Sequence, residues 1–191
     1  MYDFFYNKLL KNCPSKVDLG MSDTDSLLLL VNKPKLFWKH VDPFMDYSNY
    51  DKTHPKYCEK NKSQLGYFKD ELCGSSTCSE FIGLRPKCYC LKLVDKKTGE
   101  ISTKKTSKGI GRVAIKNRMT FRQYKNCLFK GKVVRHEFNT IRSNKHKLTT
   151  IRQRKLALSN FCAKRYLFCS IHSAPYFSML IKTKNQKCPF C

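Results

Sequence analysis

Acidic residues almost vanish from the second half of this chain. Residues 101–191 contain one, Glu137, against 22 Lys and Arg, whereas the first hundred hold 13 acids against 16 bases; together they make the net +24 of the 191-residue sequence. Long apolar runs are missing too. Leu27 to Val31 is the longest purely aliphatic stretch, far short of the roughly 18 residues a membrane-spanning helix needs, so no membrane partner is expected. The opening MYDFFYNKLLKN lacks the basic leader, apolar stretch and small-residue cleavage site of a secretory signal. An intracellular, reducing location is therefore expected, and secretion is not.

What is present argues for a folded chain. Its 41% hydrophobic and 13% aromatic content suits one ordinary domain or two small ones. Unrelieved like charge over 91 residues opposes compaction unless a polyanion is nearby. Yet Phe, Tyr, Leu and Ile run through FRQYKNCLF, VVRHEFNTIR and RYLFCSIH, so this half is expected to fold and not to trail as a basic tail. A folded basic half with interleaved aromatics is the footprint of a nucleic-acid-binding surface.

The eleven cysteines are many and odd in number. Without a secretory signal, buried thiols or metal ligands are commoner than a disulfide framework. Only CPFC, Cys188 to Cys191, has zinc-knuckle spacing, and a tetrahedral site needs four ligands. A second pair would come from Cys162, Cys169 or His172, whose spacing completes no standard pattern. Zinc at Cys188 and Cys191 is therefore not expected. CYC at Cys88 to Cys90 reads as strand, with neighbours facing opposite sides.

Periodicity then places the elements. Phe4, Phe5, Leu9 and Leu10 suit an amphipathic helix. Residues 17–31 read as two short extended runs around MSDT, a hairpin candidate. Pro34 and Pro43 bound a short helical or extended piece, and residues 46–63 are polar loop. QLGYFKDEL and SEFIGLRPKCYCLKLV read as strands, the second with Lys87, Tyr89, Leu91 and Leu93 on one side. DKKTGE turns the chain, with Gly99 at a positive φ. Residues 102–118 read as a polar basic connector; its KGIGR lacks the third glycine and following Lys-Ser/Thr of a phosphate loop and reads as a turn. Thr120 with Gln123 forms a capping-box pattern opening a helix that Gly131 ends, and residues 132–158 read as strand, turn, strand. The expected class is α+β, with residues 1–101 and 119–191 as two parts joined by the connector.

Two aspartates stand apart from the cationic background. Asp23 and Asp25 lie in SDTDSLLLLV, beside leucines where unpaired carboxylates are costly. On a strand, residues two apart face one way, so the pair would direct both carboxylates to one face. Hard oxygen ligands of this kind suit magnesium, and paired ions stabilise attacking and leaving oxygens in nucleotidyl transfer. Spacing alone equally allows an ordinary surface turn.

SDTDSLLLLV resembles the Asp-Thr-Asp-Ser element of family B DNA polymerases. GYFKDEL, EFIGLRPKCYCLKL, KGIGRVAIKNRMTFRQYKNCLF, NTIRSNKHKL and LALSNFCAKRYL follow in the order and spacing of the protein-primed polymerases of Polinton/Maverick elements and related viruses. MYDFFYNKL resembles the residues before the hairpin there, so the resemblance spans residues 1 to about 177. Met21 and Ser22 replace the aromatic or small residues that usually precede the first aspartate.

The resemblance implies a partial polymerase palm, with its antiparallel hairpin, strands and helix, followed by a small basic thumb-like subdomain. Asp25 would be the ligand shared by two Mg2+ ions, with Asp23 supporting the site. Lys87 and Tyr89 would form the Lys-x-Tyr motif that holds the primer terminus, the lysine as a point charge for phosphate and the tyrosine as hydroxyl and ring near the sugar. Lys164 and Arg165 would belong to the thumb near the DNA duplex of primer and template. A nuclear or viral replication site follows. The family's upstream Asp-x-x-Ser-Leu-Tyr-Pro element and nucleotide-binding lysine helix do not occur in these residues, so the chain alone is expected to be inactive. Deoxynucleotides and a priming protein are expected as partners only of a full-length enzyme. The alternative is a non-catalytic nucleic-acid-binding remnant of a mobile element or virus.

Overall fold

Three antiparallel strands, β3 (Ser76–Arg85), β4 (Cys88–Asp95) and β5 (Ile101–Ser107), form the central sheet of the computed structural model, which describes residues 1–13, 17–161, 165–169 and 172–175. Alternation along β3 and β4 divides the sheet's faces. Ile82, Leu84, Cys88 and Cys90 are buried on one side, while Phe81, Gly83 and Tyr89 lie on the other. Helix α2 (Arg112–Arg118) and helix α3 (Phe121–Lys130) supply Ile115, Met119, Tyr124 and Cys127 to the buried face, and Ala157 and Leu158 complete this cluster. Tyr124 is fully buried, and its hydroxyl donates to the Thr106 carbonyl at 3.1 Å. Burial pushes the Cys90 thiol up to about 11 and raises Cys127 as well, so these core thiols stay protonated and inert at neutral pH.

The α+β class is as expected, with antiparallel sheets and a few helices. So is the capping box: Thr120 accepts from the Gln123 amide, the Gln123 side chain accepts from the Thr120 amide, and Gly131 closes α3 at φ 62°. Residues 102–118 differ from the expected connector. They form β5, paired along β4 from Cys88↔Ser107 to Val94↔Ile101, and α2. β5 is an edge strand whose residues 101–104 are exposed and polar or isolated apolar, so no hydrophobic alternation betrays it. It is fixed from the other end: Ser107 Oγ donates to the Ala157 carbonyl at 2.8 Å, and Lys105 Nζ to the last carbonyls beside α2, Lys116 and Met119, at 3.0 and 2.6 Å.

A second cluster lies under the N-terminal hairpin. Strands β1 (Val17–Asp23) and β2 (Ser26–Val31) pair antiparallel with a bulge at Gly20. The first helix, Phe4–Leu10, is wound as a π-helix; it buries Phe5 and Leu9 against Val17 and against Phe37 and Val41 of helix α1 (Pro34–Val41). Fully burying Leu9 alone contributes about 1.5–3 kcal/mol. QLGYFKDEL is not the expected strand. Residues 46–75 are loop, touching strand geometry only at the Met45↔Phe68 bridge, and are held by two carboxylates. Asp46, 2% exposed, accepts from the Ser48 and Ser63 amides and pairs with Lys69. Asp70 accepts from Tyr50 Oη at 2.8 Å and from the Leu72 and Gly74 amides.

Two further hairpins follow. Strands β6 (Val134–Asn144) and β7 (Lys147–Leu158) make a long ribbon, and three-residue strands β8 (Arg165–Leu167) and β9 (Ser173–Pro175) make a short one. Among the described residues no helix is long and apolar enough to cross a membrane.

Candidate nucleic-acid interface

The aspartate hairpin turns more sharply than strand alternation allows. Asp23 pairs with Ser26, so Thr24 and Asp25 are the whole loop, and the Asp25 amide donates to the Asp23 carbonyl at 2.7 Å in a γ-turn around Thr24, φ 56°. Asp25 therefore lies in the turn and not on a strand beside Asp23, and the expected i, i+2 argument does not place the two carboxylates. A positive φ on a β-branched residue is strained, typically by about 1–3 kcal/mol.

Lys87 is also displaced from strand to turn. SEFIGLRPKCYCLKLV is two strands joined at Pro86–Lys87, where Pro86 presets the first turn position and Lys87 takes the second at φ 57°. Arg85 pairs with Cys88, leaving Tyr89 on β4 opposite Gly83. The Lys87 carbonyl accepts from the Lys108 amide at 3.0 Å, which ties this turn to the end of β5.

These two turns, remote in sequence, meet. Lys87 Nζ donates to both carboxylate oxygens of Asp23, at 2.8 and 2.7 Å. The hydrogen bond and charge of Lys87 hold the Asp23 carboxyl below its ordinary value, with a smaller contribution from the Thr24 hydroxyl. Between the hairpin and the sheet runs a groove of about 470 Å³, lined by Met21, Asp23, Phe81, Arg85, Lys87, Tyr89 and Lys108. Gly20 faces Phe81 here; a Cβ at Gly20 would stand 3.6 Å from the Phe81 ring, an ordinary contact. A Cβ at Gly83 would meet the same ring at 2.9 Å, so the bare backbone of Gly83 is what lets Phe81 lie flat along the groove floor.

Asp25 projects from the hairpin tip, exposed and without an ion pair among the described residues. Its hard carboxylate oxygens suit magnesium, whereas both oxygens of Asp23 are engaged by Lys87. Among the described residues no group of three or more such ligands comes together around Asp25, which alone offers a single carboxylate. Of the residues lining the groove, the sequence pattern had singled out Asp23, Lys87 and Tyr89; Arg85 and Lys108 join them there through the fold, with no sequence signal beyond their proximity to the Lys87 turn and the end of β5.

The β6–β7 ribbon is the second positive feature. Its register is unbroken from Arg135↔Leu156 to Asn144↔Lys147, and the loop residues Lys145 and His146 both have positive φ, as in a type I′ turn. Val134, Phe138, Ala157 and Leu158 anchor its base in the core, while residues 141–150 are exposed throughout. Four residue steps beyond the half-buried pair Thr140↔Ile151, it reaches out by about 14 Å. Register puts Arg135, Arg152 and Arg154 on the exposed face, where Glu137 takes up Arg152 at 2.5 Å. Of the expected thumb residues, Lys164 lies outside the described residues and Arg165 begins β8. No protein family, curated protein or solved structure matches this chain.

Proposed function

We propose that this chain is the C-terminal palm and thumb portion of a protein-primed family B DNA polymerase of the Polinton/Maverick and related-virus type, and that it binds the duplex of primer and template. The observation that carries the reading is the meeting of the Asp-Thr-Asp-Ser turn with the Lys-x-Tyr turn, 64 residues apart, across one groove. The ordered motifs through the rest of the sequence support it, as does the basic ribbon beyond the sheet.

In this reading each side chain has a task. Arg85, Lys87 and Lys108 offer cations to primer phosphates, and Tyr89 offers its ring and hydroxyl to the terminal sugar. Asp23 holds Lys87 at the groove edge, which keeps the ammonium near the primer path without a rotamer search. Asp25 is the metal-binding carboxylate. When bound, magnesium supplies Lewis-acid stabilisation of the attacking and leaving oxygens. The β6–β7 ribbon follows the duplex; a two-stranded ribbon fits a DNA major groove of about 12 Å width. Deoxynucleotides and a priming protein belong to the complete enzyme, at a nuclear or viral replication site.

These 191 residues alone bind duplex without extending it, because two-metal transfer needs a second carboxylate and a nucleotide-binding lysine helix. A primer-extension assay with magnesium, run beside a binding titration at matched salt, tests this. Salt-sensitive binding with no extension is expected. Extension that Asp25→Ala abolishes would show an active enzyme; binding that ignores salt would remove every nucleic-acid reading. The second reading, a non-catalytic nucleic-acid-binding remnant of a mobile element or virus, is favoured only by the Asp23–Lys87 pair, which neutralises one of the two acids.

A further inference from the structure

Cys188 and Cys191 of CPFC lie outside the described residues. Among the described residues, the tip of the β6–β7 ribbon carries two large apolar side chains that join neither buried cluster: Ile141 is 74% exposed and Leu148 75%. Single exposed aliphatics are ordinary on protein surfaces, so the pair matters through its placement. Partners across an antiparallel ladder share a face, and so do residues two apart on one strand. Ser143 pairs with Leu148, and Ile141 lies two residues before Ser143, so Ile141 and Leu148 are diagonal neighbours on one face. The pairs Asn139↔Arg152, Glu137↔Arg154 and Arg135↔Leu156 put the three exposed arginines on that same face.

The face is therefore graded, with arginines along its base and middle and the apolar pair at its end. Ile141 stands opposite Thr150, two residues past Arg152, and Leu148 lies four residues past it, about 7 and 14 Å further along the ribbon. At about 3.4 Å of axial rise per nucleotide, those distances are about two and four base-pair steps. Arg142, Lys145 and Lys147 stand beside the pair in sequence and register, and Glu137 is the one acid of residues 101–191. That charge complements a polyanion and draws the tip against it. A duplex offers phosphates on its outside and mainly polar base edges in its grooves, so most of its apolar surface lies on the stacked faces of the bases. The tight turn at Lys145 and His146 keeps the ladder formed to its last pair, Asn144↔Lys147, so the two side chains are presented on a set backbone.

We propose that the ribbon tip is an apolar wedge: Ile141 and Leu148 enter a base step of duplex DNA gripped by Arg135, Arg152 and Arg154, and unstack it. This rests on the reading of the ribbon as a duplex contact and is independent of any polymerase activity. Apolar side chains set between base pairs unstack and kink a duplex, and the deformation costs least at flexible pyrimidine–purine steps. The wedge therefore favours a deformable step over a stiff A-tract. Grip and wedge leave separate signatures. The cations set the salt dependence of binding, whereas the aliphatic pair leaves that dependence unchanged and sets the preference for the step.

The test uses the full chain and two duplexes of equal length, one with 2-aminopurine at a central TA step and one with it inside an A-tract. Anisotropy follows binding, and 2-aminopurine fluorescence, which rises when the base leaves the stack, follows the wedge. The parent chain is expected to brighten the TA duplex and not the A-tract. Ile141→Ser combined with Leu148→Ser abolishes the brightening and lowers affinity for the TA duplex about tenfold, the effect of uncovering one aliphatic side chain, with the salt slope unchanged. Ile141→Val combined with Leu148→Met keeps the brightening. Both positions are exposed, and resistance of Cys88, Cys90 and Cys127 to alkylation shows that a variant has kept its core. Salt-sensitive binding at saturation with no brightening overturns the wedge alone, as does brightening that survives the double serine variant. An absence of salt-sensitive binding overturns the ribbon as a duplex contact, and the wedge with it. Capture by anionic vesicles that the double serine variant loses, with 2-aminopurine unmoved, would overturn the wedge in favour of a membrane surface.

Discussion

Replacing Arg135, Arg152 and Arg154 together by glutamine strips the exposed face of the β6–β7 ribbon and touches little else. All three side chains are exposed, and surface changes of this kind usually move stability by no more than about 0.5 kcal/mol. Arg152 and Arg154 are two residues apart on one strand, about 6.8 Å, which is twice the 3.4 Å axial rise per phosphate on a DNA strand. Each can therefore meet its own phosphate, and Arg135 a further one across the ribbon. Every phosphate contact contributes about 0.9 to the slope of log affinity against log salt. Removing three lowers that slope by about 2.7, and somewhat less where Glu137 already neutralises Arg152. Between 50 and 200 mM salt the variant then loses about 40-fold less affinity than the parent. Fluorescence anisotropy of a labelled duplex across a salt series reads this directly. A variant with the parent's slope and a folded core would refute the ribbon as a DNA contact.

The remaining expectations concern stability and the groove. Asp46→Ala leaves the Ser48 and Ser63 amides without their carboxylate, at about 1–3 kcal/mol for each buried donor, so denaturant titration shows a loss of about 2–6 kcal/mol; no loss would mean the 46–75 loop is not held there. Gly83→Ala drives the Phe81 ring off the groove floor, and affinity for a recessed primer end falls more than affinity for blunt duplex; equal loss for the two ligands would contradict that. An NMR titration of the Asp23 carboxyl is expected to place its midpoint below the ordinary carboxylate value, because the Lys87 ammonium hydrogen-bonds it. Because its folded value is lowered, the Lys87 pair contributes fully above the ordinary carboxylate value and is lost as pH falls through the lowered one. Lys87→Ala moves the titration back up; an unmoved midpoint would show that the pair does not form in solution.

Local signals were legible wherever side-chain chemistry acts on its own backbone. Thr120 and Gln123 cap α3 as their spacing demanded, Gly99 turns at φ 71°, and Pro34 opens α1. The ribbon was legible from the loose alternation of residues 132–158, which the burial of β6 follows from Val134 to Thr140. Failures came where pairing partners are distant. β5 reads as linker because an edge strand carries no apolar face, and QLGYFKDEL reads as strand although its backbone is satisfied by loop contacts and Asp70. Asp25 and Lys87 were assigned to strand faces, since nothing in an alternating pattern announces that Thr24 and Lys87 would accept positive φ. The candidate site was thus legible as a set of residue types, and its geometry was not: the Asp23–Lys87 contact is a tertiary event between two turns.

The central claim is that the groove between the aspartate hairpin and the Lys87 turn receives the primer end. Its most direct measurement is photo-crosslinking from a primer whose 3′ nucleotide carries a photoreactive group, annealed to a longer template, followed by peptide mapping. Adducts on the peptides carrying Lys87 and Tyr89, and on the hairpin around Asp25, are expected, with competition by unlabelled primer–template and a sharp drop in Lys87→Ala. Adducts confined to the β6–β7 ribbon, or spread evenly over the basic half, would contradict the account.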